Sequence, residues 1–340
     1  MREDKGVPDM DIRFNTDALK PMADWLIYRK NTGMRDEKRL REILMMPDYS
    51  VEFERYGIPE LPVCGIGFEE AVDFFMNFDR KEFENPRLEY KKKSFLDFYE
   101  NIEERLKSIG RFTDFTEEDC SLIEVLLANG LPSDCLDKTP ELNIILIISI
   151  GNSMGWPYDH YIDYDIANMS VFENKVDFLH LTAHEIHHIF TGVLLFPEGI
   201  AGDDYLLQNF AYEGLAVHYN NNFGTKGKPR KYSDRSYVMD AEDMEYYQQN
   251  FDRFFTMIRD DYRALKGKSP EEAGKVISTK YEQFEFMGKK IRQYPTYYFG
   301  CYMWGLVDLA FGKEKVFEAI SNPPLFVELY NQAADEKYRL

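Results

Sequence analysis

Histidine is scarce in this chain of 340 residues, six in all, and cysteine is scarcer still at four. Cys64, Cys120, Cys135 and Cys301 show no metal-ligand spacing and are too sparse for a disulfide scaffold, so reduced thiols and a cytoplasmic setting are expected. Positive charge is in deficit: 41 Lys and Arg against 60 Asp and Glu leave a formal net charge of −19. That balance argues against nucleic acid or an anionic membrane surface as a partner. The compact basic run Lys226–Lys231 reads as a solvated loop within an acidic whole. Long apolar runs are also missing. The longest, Ile144–Ile148, falls far short of the roughly 20 residues that a membrane span requires, which excludes membrane insertion by a helix. No apolar stretch follows Met1, so no secretory signal is visible. Internal repeats and low-complexity tracts are absent as well.

What is present is a globular composition, 44% hydrophobic with 15% aromatic residues, which excludes a disordered chain. The length suggests two or three domain-sized units. Apolar residues recur at helical spacing in segments 16–31, 36–46, 67–78, 94–109 and 116–129, with Thr116-Glu-Glu-Asp a helix start. Gly130-Leu-Pro132 and Thr139-Pro140 then punctuate the chain. After Pro140 the pattern changes. Ile144–Ile150 is β-branched and short, as for a buried strand, and Tyr161–Ile166 alternates apolar with acidic, the mark of a strand with one wet face. Residues 151–157 read as a loop between them.

Helical spacing returns at 172–191 and 205–221. It continues along one long helix marked by Met244, Tyr247, Phe251, Phe254, Ile258, Tyr262 and Leu265, a stripe of core contacts, and then in 270–288, 297–311, 313–321 and 324–334. The expectation is a predominantly helical α+β protein with one small sheet, divided into a helical region 1–138 and a catalytic domain 139–340.

Four of the six histidines (His180, His184, His187, His188) fall within Leu179–Phe190, LHLTAHEIHHIF. His184 and His188 frame H-E-x-x-H. On a helix, residues four apart lie one above the other, so two imidazoles converge on one ion. Zinc accepts histidine nitrogen and carboxylate oxygen and leaves a position open for water in catalytic sites. Glu185, beside the first histidine, is placed to take a proton from that water. His187 is a second-sphere or substrate-facing group, or is merely solvated, and His180 has a packing or hydrogen-bonding role.

A third ligand is required. In Asn209–Tyr219 the sequence NFAYEGLAVHY puts Glu213 amid apolar neighbours, where an unpaired carboxylate is costly and a metal removes the cost. Gly214, next in sequence, allows close approach of a neighbouring helix. His218 is the rival third ligand, and His160 a more distant one.

HEIHH followed by YEGLA resembles the gluzincin zinc metallopeptidases, most closely the uncharacterised families of predicted bacterial zinc-dependent peptidases, over roughly residues 140–312. The resemblance implies a thermolysin-like catalytic core, one zinc per chain held by His184, His188 and Glu213, Glu185 as general base, and a peptide or protein substrate. Gluzincins bind the substrate backbone along an edge strand upstream of the motif helix, a role that would fall to Ile144–Gly151 or Tyr161–Ile166. The related aminopeptidases carry G-x-M-E-N there, whereas this chain has Gly151-Asn-Ser-Met-Gly without the acid, which speaks against aminopeptidase activity. Tyr294–Gly300 resembles the Y-x-x-G segment of the same enzymes and offers Tyr297, with Tyr298 beside it, as donor to the oxyanion of the tetrahedral intermediate. His218 is a third candidate for that donor. Two other readings stand beside the peptidase: a zinc amidohydrolase acting on small amides, and a helical binding protein with a vestigial metal site.

Overall fold

The computed structural model describes residues 10–56, 66–110, 113–136, 141–151, 155–169, 175–221 and 241–340. The basic run Lys226–Lys231 lies outside them. The chain forms two compact units, each discontinuous in sequence: Met10–Cys120 with Thr139–Phe178, and Ser121–Lys138 with Leu179–Leu340. A boundary at residue 139 therefore does not divide the molecule, because strand β1 (Ile12–Asn15) pairs with β2 (Leu142–Ile147) and ties the early chain to the sheet.

The first unit carries a four-stranded sheet in the order β1-β2-β4-β3, with β3 at Trp156–Tyr158 and β4 at Tyr161–Asp165. β1 and β4 run parallel to β2, in registers Phe14↔Ile144 and Ile145↔Asp163, and β3 runs antiparallel to β4. β2 and β4, both anticipated from sequence, are the two central strands: β1 covers Leu142–Ile145 of β2 and β3 covers Tyr161–Asp163 of β4, so neither is the edge strand that substrate addition was expected to use. The edges belong to β1 and β3, and β3 occupies part of the segment expected as a loop.

Helices α1 (Leu19–Thr32), α2 (Glu37–Leu44), α3 (Pro47–Tyr56), α4 (Phe68–Asn77), α5 (Pro86–Glu100) and α6 (Ile102–Ile109) precede the sheet's second strand. Phe74, Phe75, Phe78, Phe95 and Phe98 form their shared core, and the Arg29 guanidinium lies over the Phe78 ring at 4.1 Å while bonding Asp79 at 2.6 Å. The alternation in β4 does not give a wet face. Asp163 and Asp165 are both buried, together with Glu52 of α3 and Lys91 of α5. Lys91 pairs with Asp165. Glu52 accepts from the Ser149 hydroxyl and the Ile150 amide. Both carboxyl oxygens of Asp163 lack a partner. Period two in a sequence identifies which residues share a face, not what covers that face.

The second unit is helical. The C-terminal part of α7 (Glu117–Gly130) and α8 (Ser133–Leu136) are followed, after the short α9 (Ile166–Met169) of the first unit, by α10 (Lys175–Leu195), whose residues from Leu179 onward belong here, and by α11 (Gly202–Ala216). α11 runs on into a π-helical segment, Val217–Asn221. Next come α12 (Ala241–Gln249), α13 (Phe251–Ala264) and α14 (Pro270–Val276), then the hairpin of β5 (Glu285–Phe286) and β6 (Lys289–Lys290). α15 (Pro295–Phe311), α16 (Lys313–Ile320) and α17 (Pro323–Ala333) complete the unit. The long helix expected through 244–265 is broken at Asn250, which sits outside helical geometry at φ −113°, ψ 20°. Its aromatic stripe is core: Tyr247, Phe254, Phe286 and Phe299 meet edge-to-face.

α11 and α15 are packed backbone to backbone. A Cβ on Gly214 would lie 2.2 Å from the carbonyl carbon of Gly300, and one on Gly300 would lie 1.9 Å from the carbonyl oxygen of Phe210. Among the described residues no helix is long and apolar enough to cross a membrane.

Candidate metal centre

α10 presents His184 and His188 one turn apart on one face, and their Nε2 atoms stand 3.1 Å from each other. α11 supplies Glu213, whose Oε2 is 3.3 Å from each of those nitrogens. The three donors make a nearly equilateral triangle, with the histidines buried and Glu213 about one-fifth exposed. Donors at the corners of a tetrahedron lie about 1.6 bond lengths apart, so zinc bonds of about 2.0–2.1 Å set edges of about 3.3–3.4 Å. The triangle has that size, and its two nitrogens and one oxygen are the donor set zinc takes in sites that keep a position open. Oε2 of Glu213 makes no hydrogen bond of its own. Among the described residues no other group of three His, Cys, Asp or Glu converges in this way.

The electrostatics favour positive charge at the centre of the triangle. Burial works to raise Glu213, but the imidazoles of His188 and His184 outweigh it and hold the carboxyl far below its ordinary range. Burial likewise works to lower His184, and it is overcome by Glu213, by the Glu185 carboxylate and by Asn221, so the ring is raised.

Ring contacts fix the two histidines. His188 lies flat on Tyr212, with centroids 4.0 Å apart and 15° between planes. Tyr297 is parallel to His184 at 6.1 Å. Nδ1 of His184 donates to Oδ1 of Asn221 at 2.7 Å. Glu185 is buried on α10 and its charge acts on both His184 and Tyr297. Tyr297 opens α15, with its hydroxyl within bonding reach of Glu213. Burial and the charges of Glu213 and Glu185 push that hydroxyl well up, so it stays a donor.

The remaining candidates lie elsewhere. Tyr298, next along α15, is buried among Tyr247, Phe251 and Phe299. His218 bonds Asp308 at 2.8 Å, and Asp308 stands eleven residues beyond Tyr297 on α15, about 16 Å along the axis, so His218 is directed away from the three donors. His187 faces neither the triangle nor solvent. It is fully buried, with Nε2 donating to the Gly130 carbonyl at 3.2 Å, and burial pushes it down to about 3, leaving it neutral. His180 donates from Nδ1 to the Asn220 carbonyl at 2.5 Å, the hydrogen-bonding role expected of it. His160, in the β3–β4 turn, bonds Asp159.

Sequence reasoning passes over Asn221 and Tyr212. Tyr212 precedes Glu213 and could be suspected from that position alone. Asn221 could not, since it lies eight positions beyond Glu213 and a widened helical turn, invisible in the pattern, carries it to His184.

The profile of the DUF5700 family, described as "Putative zinc dependent peptidase", matches residues 83–338. The chain belongs to this family. No curated protein and no solved structure matches it. The zinc in the DUF5700 description agrees with the donor set of His184, His188 and Glu213, and its peptidase activity implies a peptide or protein substrate.

Proposed function

We propose that this DUF5700 protein is a gluzincin-type metallopeptidase in which His184, His188 and Glu213 hold one zinc per chain. The observation that carries the reading is the triangle of donors, sized for the faces of a zinc tetrahedron and supplied by H-E-x-x-H plus a glutamate of the following helix. Zinc bound there supplies a Lewis acid that polarises the scissile carbonyl and makes water acidic near neutral pH. Glu185 accepts the proton of the attacking water and returns it to the leaving amine. Tyr297, held protonated, donates to the oxyanion as the carbonyl carbon becomes tetrahedral. The proline at the first helical position fixes the entry to α15 and so the placing of Tyr297.

The test is metal content and turnover on one preparation. Wild-type protein should carry about one zinc per chain, lose it to a chelator, and cleave members of a casein or mixed-peptide panel only when loaded. Glu213→Ala should lose the zinc, while His218→Ala should keep it. A chain that neither holds nor takes up zinc overturns the reading. A loaded chain that turns over small amides but no peptide makes it an amidohydrolase.

A further inference from the structure

The helix that brings Glu213 to the triangle returns to the same histidine a second time. Glu213 meets the Nε2 edge of His184 at 3.3 Å, and Asn221 meets the Nδ1 edge at 2.7 Å. One imidazole is thus clasped at both nitrogens by residues eight positions apart on one continuous helical run. The π-helical segment Val217–Asn221 makes this possible. Its i→i+5 bonds put an extra residue in the turn and re-aim every side chain that follows Ala216. The segment is pinned in that form. Asn220 donates from its side chain to the Ala216 carbonyl at 3.1 Å, and its own carbonyl receives His180, one turn before His184 on α10. Asn221 is buried, 5% exposed, so its carbonyl group has no competing water in place of His184.

We propose that Asn221 is a positioning residue for the metal: its Oδ1 keeps the His184 proton on Nδ1 and so presents the lone pair of Nε2 to the ion. The inference rests on the zinc reading. A histidine ligand must offer a bare nitrogen, and the acceptor on the other nitrogen decides which one is bare. Here that acceptor is a neutral amide. It orients the ring without adding charge to a site that already holds Glu213, where an aspartate would also raise the basicity of His184.

The experiment uses the full-length chain freed of zinc and has two readouts, neither of them activity. Nitrogen-15 shifts of the His184 ring, measured at alkaline pH where the imidazole is neutral, should show the proton on Nδ1 in the wild type. In Asn221→Leu, which keeps the volume and removes the acceptor, the proton should no longer be confined to Nδ1. Zinc affinity of that variant, from competition with a chromophoric chelator, should fall roughly ten- to a hundred-fold with the far-ultraviolet circular dichroism unchanged. Asn221→Asp should bind zinc at least as tightly as the wild type, because the acceptor is restored. A wild-type ring protonated on Nε2, or a folded Asn221→Leu that binds zinc within about twofold of the wild type, overturns the proposal. If Asn221→Leu does not fold, the wild-type ring and Asn221→Asp decide it. A wild-type chain that binds no zinc removes the metal reading instead, and the shift pattern still reports whether Asn221 fixes the proton.

Discussion

Tyr297 and Tyr298 are adjacent, chemically identical and both at the start of α15, yet packing gives them separate surroundings. A residue step turns an α-helix by about 100°, so one ring meets the metal donors while the other enters the cluster of Tyr247, Phe251 and Phe299. Nothing in a single sequence distinguishes them, since the deciding contacts come from α12 and α13. The pair His184 and His188, by contrast, is legible because local helical geometry alone makes it converge. Glu213 is legible through its burial cost, whereas Asn221 depends on a π-turn that leaves no periodic trace. Replacing Tyr297 with Phe should keep zinc occupancy, because the ring against His184 remains, while kcat falls by about 10²–10³-fold for loss of an oxyanion donor. Tyr298→Phe should leave kcat close to wild type. Glu185→Gln should also retain zinc and fold, with hydrolysis down by about 10²–10⁴-fold. A Glu185→Gln protein that loses its metal would show that the glutamate is a ligand, and one with full activity would place the base elsewhere.

At the scale of elements, the site depends on how closely α11 and α15 approach. Gly214 follows Glu213 directly and Gly300 lies one turn after Tyr297, so the glycine seam sets the separation between the Glu213 and Tyr297 side chains. Gly300→Ala would drive a methyl into the Phe210 carbonyl, and the helices must part. Overpacking of this kind costs about 1–3 kcal/mol, and the thermal midpoint and zinc affinity should fall together although no metal donor has changed. The partners around β4 give a second prediction. Burial, against the hydrogen bonds of Ser149 and Ile150, raises Glu52 to about 7, and burial with the Glu52 and Asp165 charges raises Asp163 further. The folded protein holds these protons more tightly than the unfolded chain does. The contribution of these two groups to stability is therefore full at pH values below the ordinary carboxylate range and is lost as pH rises through about 7. Asp163→Asn, permanently uncharged, should flatten that decline, so that its midpoint exceeds the wild-type one at about pH 8 and the difference shrinks towards about pH 5. Calorimetry at the two pH values checks it, and an equal offset at both would show that Asp163 does not titrate in that window.

At the scale of the whole molecule, the helical α+β class and most helices were readable from apolar periodicity, which follows from burial of one face of each helix. The division of the chain was not, because it rests on pairing between residues more than a hundred positions apart, Ile12 with Leu142 and Asn15 with Ile145. β1 was missed because four residues are too few to show a period, and α3 (Pro47–Tyr56) was not read from the sequence either. The family profile, matching residues 83–338, reaches into both units. The chain passes between the units after Cys120, after Lys138 and after Phe178. This threading means that no single cut releases the half that bears His184, His188 and Glu213. A fragment of residues 139–340 would keep β2, β3 and β4 but leave behind β1, α3 and Lys91, stranding Asp165 without its cation, and would also lose the Gly130 carbonyl that receives His187. Expressed alone, it should fail to give a folded, zinc-loaded species by circular dichroism and metal analysis. Limited proteolysis, for the same reason, should nick this protein at its surface without separating it into two independently stable pieces.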